Sequence, residues 1–342
     1  MNVERPRIFS SEVEIPADAE KRDVFESALR EMFFAEHPAL QKDSKDAREQ
    51  CARFIGVHQL SSVWVYYPWR NLALRVPDEA VYHQLHTTRN RNVITETEQS
   101  AYRSATVGIA GLSVGSAVLA SLVATGGPKK MKIADPDTLE ITNLNRIRAG
   151  LTDIGMNKTD IAAKNSWEVD PFLDLDLWQE GITGDTLQRF MGEPRLDVFI
   201  DEMDSIGMKI QARKVCREFR IPVVMATDNG DGVLVDVERF DLELDRPIFH
   251  GRVEINDDEL AHVDRVQFVA LANKIIDPAM FTPRQWESIQ QIGTSLSGVP
   301  QLGTAAAIAG AATAYVVRQI LIKAPMPSGR YVMSCEQVFT SA

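Results

Sequence analysis

The sequence predicts an α/β fold, in which a doubly wound (Rossmann-like), mainly parallel sheet follows a small N-terminal α+β region. From residue 105 onward, short apolar segments typical of buried strands alternate with helical stretches. Such alternation is the pattern of a parallel sheet that is covered by helices on both faces. One segment, "VGIAGLSVGSAV" at residues 107–118, starts as a strand and turns through small residues into an alanine-rich helix. A turn of this kind is the usual place for a phosphate group in this fold class.

The N-terminal elements are expected to be short and mixed. Amphipathic spacing predicts helices over residues 21–35 and 44–57. The segment "VWVYYPWRNLALRV" predicts two strands around a turn at Pro68 to Asn71. The aromatic "YYPWR" could receive a peptide or an acidic tail, although a structural turn anchored by Trp69 is the favoured interpretation.

The parallel sheet is expected to contain five strands in chain order. Glycine and proline in "VATGGPKK" supply the helix stop that should separate the first helix from the second strand. The strand candidates are "TVGIAG", "MKIAD", "LDLDL", "DVFID" and "IPVVMAT".

The composition is that of a globular protein and argues against one class of partner. The chain has 342 residues, 44% of them hydrophobic and 25% charged, and a formal net charge of -11 at pH 7. This length can hold one large domain or two ordinary ones. Nucleic-acid binding depends largely on Lys and Arg side chains that neutralise phosphates, so no nucleic-acid partner is expected.

The cysteines and the first residues bear on the cellular compartment. Cys51, Cys216 and Cys335 lie far apart and form no CxxC pair, so neither a disulfide framework nor a four-thiolate zinc site is expected. The segment "MNVERPRIFSSEVEIPADAEK" lacks an apolar stretch and is too acidic for a signal or transit peptide. Together these features predict a cytoplasmic protein.

One segment is long enough to span a bilayer. It is "GTAAAIAGAATAYVVRQILI" at residues 303–322, which is rich in Ala and Gly, contains Arg318 and Gln319, and lacks flanking anchors. We therefore expect a buried core helix or a helix at a dimer interface, and no membrane partner.

The loop after the first parallel strand has the small residues that an anion site needs. Backbone N–H groups and the helix dipole favour an anion there, and small side chains let a phosphate approach the main chain. Gly111 and Gly115 supply the flexible points, while Ser113 and Ser116 stand where a dinucleotide-binding motif has glycine. Taken alone, the motif fits a tight turn without a ligand equally well.

An acidic residue after the second strand favours the nucleotide interpretation. Asp135 follows Gly111 by 24 residues and ends "MKIAD". A carboxylate at this place typically accepts hydrogen bonds from ribose hydroxyls, and it favours a ribose without a 2′-phosphate.

Further polar residues gather at the same edge of the sheet. Asn143, Arg146 and Lys158 bring positive charge and a donor amide near the loop, as a triphosphate would need. The segment "DVFIDEMDS" brings Asp201 and Asp204 to this edge, where a carboxylate could hold Mg²⁺. Each residue alone could be a solvated loop charge, but their concentration at one sheet edge favours a functional site.

These motifs resemble those of a known superfamily. The segments "GLSVGS", "ADPDTLEITNLNR", "GMNK" and "DEMDS" are similar to motifs of the E1-like adenylating enzymes, which include ubiquitin-activating enzymes, ThiF and MoeB. The resemblance implies an ATP-binding adenylation domain with ATP and Mg²⁺ as cofactors. It covers about residues 87–240, with a further match at "GVPQLGTAAAIAGAATAYVV".

The resemblance also implies roles for individual residues. Asp135 would hold the ATP ribose, and Asn143 and Arg146 would contact phosphates. Lys158 would stabilise the charge that develops on the α-phosphate, and Asp204 would hold the metal. The other residues that the resemblance places in the nucleotide site are Gly111, Leu112, Ser113, Gly115 and Asp137.

The resemblance predicts two domains and a subgroup. A small α+β region would occupy residues 1–86, and the adenylation domain, with its C-terminal helices and terminal strands, residues 87–342. The segments "RNRNVITETEQ", "DVERFD" and "RPIFHG" are similar to a poorly characterised ThiF-like branch, whose members can be joined to nitroreductase-like modules.

The sequence also departs from the superfamily pattern. Ser113, Val114 and Ser116 replace glycines of the loop, Ile147 replaces the Gln after the phosphate-binding Arg, and Ser205 replaces the Asn after the metal-binding Asp. The paired CxxC zinc ligands are absent from the sequence. ATP binding remains the expectation, with neither a zinc site nor a catalytic cysteine on this chain.

The sequence is compatible with three functions. The favoured one is an ATP-dependent adenylyltransferase, in which a substrate carboxylate attacks the α-phosphate and Arg146, Lys158 and Mg²⁺ stabilise the charge. An NAD- or FAD-dependent oxidoreductase would use the loop and Asp135, but it would leave Arg146, Lys158 and Asp204 without a role. The third is a nucleotide-binding scaffold that has lost its chemistry.

The resemblance implies partners as well. The activated carboxylate could be the C-terminus of a ubiquitin-like or sulfur-carrier protein, a peptide, or a small acid. An Arg ahead of the loop reaches the partner subunit's γ-phosphate in the superfamily, so a homodimer is expected, with Arg91 a better candidate than Arg89. A solvated basic turn is the alternative. The region after the fifth strand contains no cysteine, so no thioester is expected on this chain.

Overall fold

The computed structural model describes residues 3–256, 259–260 and 265–338. It divides into two compact units. The N-terminal unit comprises Met1–Gln99 with Trp167–Phe172, and the larger unit comprises Ser100–Ser166 with Leu173–Ala342. The boundary between residues 86 and 87 stays a prediction from the sequence.

The N-terminal unit is built on a four-stranded sheet with the strand order β1-β3-β4-β2. The helix predicted over residues 21–35 is wrong at its start, because Glu20–Asp23 pairs as a parallel strand with its neighbour. The Asp23 carboxylate accepts a hydrogen bond from the Phe25 N–H, and the helix begins only there. The helix predicted over 44–57 is confirmed. The elements are β1 (Arg7–Phe9), β2 (Glu20–Asp23), α1 (Phe25–Glu36), α2 (Lys45–Val57), β3 (Ser62–Tyr67), β4 (Leu72–Pro77) and α3 (Glu79–His86).

The predicted hairpin of this unit is confirmed. β3 and β4 are antiparallel, and a single 3-10 turn at Pro68–Arg70 joins them. Asn71 completes the turn with a φ of 46°. The indole N–H of Trp69 donates to Glu168 Oε1 at 2.6 Å, and its ring lies 6.3 Å from that of Trp167. Trp69 therefore anchors a structural turn.

The larger unit contains a seven-stranded sheet with the strand order β11-β10-β9-β8-β5-β6-β7. The five strands from β5 to β9 are parallel, which confirms the predicted doubly wound sheet, and β10 and β11 add two antiparallel strands at one edge. The order of the parallel strands reverses between β5 and β8. The strands are β5 (Thr106–Ala110), β6 (Lys130–Ala134), β7 (Asp174–Trp178), β8 (Val198–Asp201), β9 (Val223–Asp228), β10 (Gly232–Glu238) and β11 (Gly329–Ser334).

Helices cover this sheet, because its central strands are apolar on both faces. Every residue of β5 and of β8 is buried. Two of the helices, α4 and α6, contribute residues to both compact units. The helices are α4 (Glu96–Ser104), α5 (Gly115–Ala124), α6 (Lys158–Val169), α7 (Gly184–Gly192), α8 (Ile206–Glu218), α9 (Arg265–Ile276), α10 (Pro283–Gln290), α11 (Gly303–Leu321) and α12 (Cys335–Val338).

Two details of the C-terminal part differ from the sequence-based expectation. The superfamily resemblance predicts a loop after the fifth parallel strand, but this stretch contains β10, which pairs antiparallel with both β9 and β11. The segment "YVMSCEQVF" predicts an edge strand that contains Cys335. β11 is that edge strand, but it ends at Ser334, and Cys335 begins α12.

The long apolar segment is a packed helix. In the part of the chain that the structure describes, α11 is the one helix with the length and hydropathy of a membrane span, and half of its most apolar window is buried. It crosses α5 so closely that a Cβ on Gly310 would lie 2.6 Å from the Ala117 carbonyl oxygen. The apolar composition of this segment is therefore explained by helix packing.

Candidate functional site

The candidate site lies where the strand order reverses, at the carboxyl ends of β5 and β8. Ligands of doubly wound sheets bind at this position. Gly111 follows β5 with a φ of 88°, which favours glycine. A Cβ there would also come within 2.2 Å of the Glu202 carbonyl oxygen. The loop after β5 thus touches the segment after β8, and only glycine permits this contact.

Asp135, directly after β6, is fixed by the loop. Its Oδ2 accepts a hydrogen bond from the Leu112 N–H at 2.6 Å, and its Oδ1 accepts one from the Asp137 N–H at 2.9 Å. Burial raises the pKa of Asp135, while these two bonds and Lys158 act in the opposite direction. Each carboxylate oxygen has a second lone pair, so Asp135 can still accept bonds from ribose hydroxyls.

Lys158 begins α6 and points to the same carboxylates. Its Nζ lies 2.7 Å from Asp137 Oδ2 and 3.7 Å from Asp135 Oδ1. The Lys158 side chain is 8% exposed, whereas that of Asp137 is 61% exposed. An exposed carboxylate is a weak partner, which a phosphate could replace beside the buried ammonium group.

Arg146 is attached to the loop through one of the unusual serines. Its Nε donates to Ser113 Oγ at 2.7 Å, and its Nη1 donates to Asn145 Oδ1 at 2.9 Å. Burial lowers the pKa of Arg146, and the charges of Asp228 and Asp204 act against this effect. Ser113, which replaces a glycine of the superfamily pattern, therefore has a specific contact in this chain.

Two cavities meet at this place. The first has a volume of about 260 Å³ and is lined by the predicted nucleotide-site residues Gly111, Ser113, Asp135, Asp137, Lys158 and Asp204. The second has a volume of about 530 Å³ and is lined by Arg146 and Asp228 together with apolar side chains. The residues common to both linings are Ser113, Glu202, Met203 and Asp204.

Asp201 and Asp204 differ, although both lie at this edge as predicted. Asp201 is fully buried, pairs with Arg213, and lies 3.2 Å from Lys209 Nζ, so it is not available to a ligand. Asp204 is exposed and receives no hydrogen bond from another described residue. Within the described ranges, no group of three or more His, Cys, Asp or Glu side chains could hold a metal alone. Asp204 fits Mg²⁺ shared with phosphate oxygens, which is the usual magnesium environment.

The other predicted residues lie outside the two cavity linings. Asn143 Oδ1 accepts a hydrogen bond from the Glu140 N–H in the turn after β6. Leu112 is fully buried, and its backbone N–H is the donor to Asp135. Gly115 begins α5, and a Cβ at this position would clash with Ile109. Arg91 is exposed in the N-terminal unit.

Sequence reasoning missed Asp228, the last residue of β9. It is 6% exposed, and its Oδ2 accepts a hydrogen bond from Gln301 Nε2 at 3.1 Å. Its Oδ1 is buried, and no described residue donates a hydrogen bond to it. Burial raises the pKa of Asp228 to about 6, against the lowering effects of Gln301 and Arg146. The surrounding "TDNGDG" reads as a turn, so no local signal marked this residue.

The match to a protein family agrees with this geometry. The model of the ThiF family matches residues 87–335, which is most of the chain. The chain belongs to the ThiF family. The parallel sheet with its loop after β5 and the acid after β6 is thus the core of a ThiF family domain.

Three relatives illustrate how far the similarity extends. Uncharacterized protein MT1398 of Mycobacterium tuberculosis is 37% identical over 268 residues, which are 78% of this chain and 37% of that protein. A tRNA threonylcarbamoyladenosine dehydratase of Bacillus subtilis is 26% identical over 156 residues, 45% of this chain and 60% of that protein. The chain therefore spans less than two thirds of either relative. A structure of Escherichia coli MccB with ATP has a TM-score of 0.52 at 16% identity, with 91% of this chain and 84% of that chain covered, and so shares the fold.

Proposed function

We propose that this ThiF family protein is an ATP- and Mg²⁺-dependent adenylyltransferase that activates a substrate carboxylate as an acyl adenylate. One observation carries the proposal. Two cavities adjoin at Ser113 and Asp204, one lined by Asp135 and Lys158 and the other by Arg146. A reaction that joins a nucleotide to a second substrate needs two adjoining compartments with cationic groups near the reacting phosphate.

Each residue has a role in this proposal. Asp135 binds the ribose of ATP, and the N–H groups of the loop from Ser113 to Gly115 face its phosphates. Arg146 and Lys158 stabilise the negative charge that develops on the α-phosphate. Asp204 holds Mg²⁺, which supplies charge neutralisation at the phosphate oxygens. Asn143 reaches a phosphate only if its side chain leaves Glu140.

The reaction is a single displacement at phosphorus. A carboxylate oxygen of the substrate forms a bond to the α-phosphorus of ATP as the bond from that phosphorus to the bridging oxygen breaks. Pyrophosphate leaves with the electron pair, and the acid is left as a mixed anhydride with AMP. The chain's own residues need to position the two reactants and to stabilise charge, since no proton has to move.

The relatives support ATP as the nucleotide. MccB shares the fold and has been determined with ATP. An oxidoreductase would leave Lys158, which lines the first cavity, and Arg146, which lines the second, without a role. The substrate carboxylate belongs to a small acid, a peptide, or the C-terminus of a ubiquitin-like or sulfur-carrier protein. The adenylate is then passed to an external nucleophile or used for internal condensation, without a zinc site or a catalytic cysteine on this chain, in the cytoplasm.

Thermal stability and pyrophosphate exchange test the proposal. ATP with Mg²⁺ should raise the melting temperature, and Asp204→Asn should remove most of the Mg²⁺-dependent part, because an amide is a poorer ligand for a hard cation. Arg146→Ala and Lys158→Ala should each lower acid-dependent exchange about 100-fold. The exposed Asp245, which lines neither cavity, provides the control variant Asp245→Asn. An unchanged Mg²⁺ effect in Asp204→Asn would reject the metal role, and a wild type without exchange for any acid would reject the reaction.

We further propose a homodimer in which Arg91 of one subunit reaches the nucleotide of the other. Mixed dimers of Arg91→Ala and Lys158→Ala subunits should then recover one functional site of two. A monomer in sedimentation experiments, or mixed dimers that stay inactive, would exclude this arrangement.

A further inference from the structure

The second cavity combines an apolar wall with one buried acid. Ile275 and Ile276 of α9, Phe281 and Val299 line the apolar side, and Asp228 lies among the lining residues. Its volume of about 530 Å³ is within the range of small-molecule sites. A cavity of this kind selects ligands that are mostly apolar and that offer a polar group at one place.

The unpaired oxygen of Asp228 defines what that polar group is. A buried acceptor without a partner is costly, and native proteins rarely leave one without a reason. Oδ2 is already satisfied by the Gln301 amide, so Oδ1 remains for a ligand. A carboxylate forms strong hydrogen bonds with donors that carry a positive charge, such as an ammonium group. A nitrogen-bearing ligand, above all a charged one, would therefore satisfy Oδ1.

The place of the cavity restricts the ligand further. It shares Ser113 and Asp204 with the predicted nucleotide cavity, and its lining includes Arg146, which donates a hydrogen bond to Ser113. Under the proposed function, on which this step rests, the carboxylate to be activated must lie near Arg146 and Asp204. A ligand that fills the cavity from there has a carboxylate, an N–H donor and an apolar group, all close together.

We propose that this cavity binds an apolar α-amino acid unit, either a free amino acid or the C-terminal residue of a peptide, and that Asp228 recognises its α-nitrogen. The carboxylate of the unit lies on the side of Arg146, and its side chain packs against Ile275 and Phe281. Asp228 is thus a specificity residue for the acid and takes no part in ATP binding.

A matched series of acids tests this assignment. Pyrophosphate exchange is measured with Ala, Val, Leu, Ile, Met, Phe and Trp, each as the free amino acid, the N-acetyl amino acid, the 2-hydroxy acid and the acid without an α-substituent. The wild type should prefer the two nitrogen-bearing forms of its best side chain by about 10- to 100-fold in kcat/KM. Asp228→Asn should reduce this preference and Asp228→Ala should abolish it, while the acid without an α-substituent should react unchanged. Glu287→Gln, on the exposed side of α10, is the control and should behave as the wild type.

The outcomes separate this inference from the proposed function. The ATP and Mg²⁺ effect on melting temperature should persist in both Asp228 variants, which also shows that they are folded. If the wild type activates acids but does not distinguish nitrogen-bearing forms, or if Asp228→Ala keeps the preference, the inference is wrong and the function stands. The absence of exchange with every acid of the series overturns the inference. If ATP and Mg²⁺ also fail to stabilise the wild type, the proposed function falls with it.

Discussion

The carboxyl ends of β8 and β9 place the same residue type in two different situations. Asp201 ends β8 and Asp228 ends β9, and both are buried at one edge of the sheet. The charges of Lys209 and Arg213 hold the pKa of Asp201 below its usual range in spite of burial. At Asp228 burial dominates, and the pKa rises to about 6. The partners of a buried acid, and not its place in the sheet, decide whether it is structural or free to bind.

The origin of the partners explains the difference. Lys209 and Arg213 both lie on α8, the helix that follows β8. Arg213 is fully buried, also pairs with Glu238, and has its guanidinium carbon 3.8 Å from the centre of the Phe249 ring. Asp201 is therefore one member of a closed network, as buried charges require. Asp228 has one amide partner and faces a cavity.

The largest effect is expected from breaking the β8 network. Asp201→Asn should lower the free energy of unfolding by about 3–5 kcal/mol, because Arg213 stays buried with one carboxylate partner fewer. Urea denaturation at pH 7.5 measures this loss. Asp228→Asn is the matched control at the end of β9, and it should be at least as stable as the wild type. If Asp201→Asn and Asp228→Asn lower the free energy of unfolding equally, the ends of β8 and β9 do not differ in the way described.

A smaller effect is expected from pH at the end of β9. Since the pKa of Asp228 is raised in the folded state from 3.8 to about 6, its stabilising contribution is complete below pH 3.8 and is lost as pH rises through 6. We therefore expect the free energy of unfolding of Asp228→Asn, relative to that of the wild type, to rise by about 2 kcal/mol from pH 4.5 to pH 7.5. Unfolding experiments at these two pH values measure this difference. A difference between the two proteins that is independent of pH would place the pKa of Asp228 near its ordinary value.

Local sequence patterns were sufficient for the parallel strands, the loop and Asp135. Strand alternation and the glycine and proline stops depend on neighbours in the chain, and all five predicted parallel strands are present. β10 was not predicted, although the sequence contains a hairpin signal for it. The turn residues "DNGDG" precede "VLVDVE", and turn residues followed by alternating apolar residues indicate a β-hairpin.

The separation of Asp201, Asp204 and Asp228 could not be read from the sequence. Their burial depends on which side chains other elements bring to the sheet edge. The partner of Asp228 is Gln301, 73 residues further along the chain, and the apolar wall beside it comes from α9 and the segments after it. Such long-range contacts leave no periodic signal in the sequence. A cluster of acidic residues at one edge of the sheet therefore predicts a site, but it does not predict the role of each acidic residue.

The smallest effect concerns Ser113, which lines both cavities and accepts the hydrogen bond that holds Arg146 in the lining of the second. Ser113→Ala removes the acceptor of the Arg146 Nε bond and should cost about 0.5–1.5 kcal/mol in the free energy of unfolding. Arg146 lowers the pKa of Asp228, so a guanidinium that is no longer held should let the titration of Asp228 move to higher pH. The titration midpoint of Asp228 is measured from the pH dependence of the free energy of unfolding. Each protein, wild type or Ser113→Ala, is compared with the same protein that also carries Asp228→Asn.

Ser116→Ala is the control for this change, because the Ser116 hydroxyl donates to the Ser113 carbonyl oxygen and does not contact Arg146. It should leave the midpoint of Asp228 where the wild type has it. A midpoint that moves to lower pH in Ser113→Ala would mean that the released Arg146 turns toward Asp228. In that case Ser113 keeps Arg146 away from Asp228. The loop after β5 and the end of β9 then compete for the Arg146 guanidinium group.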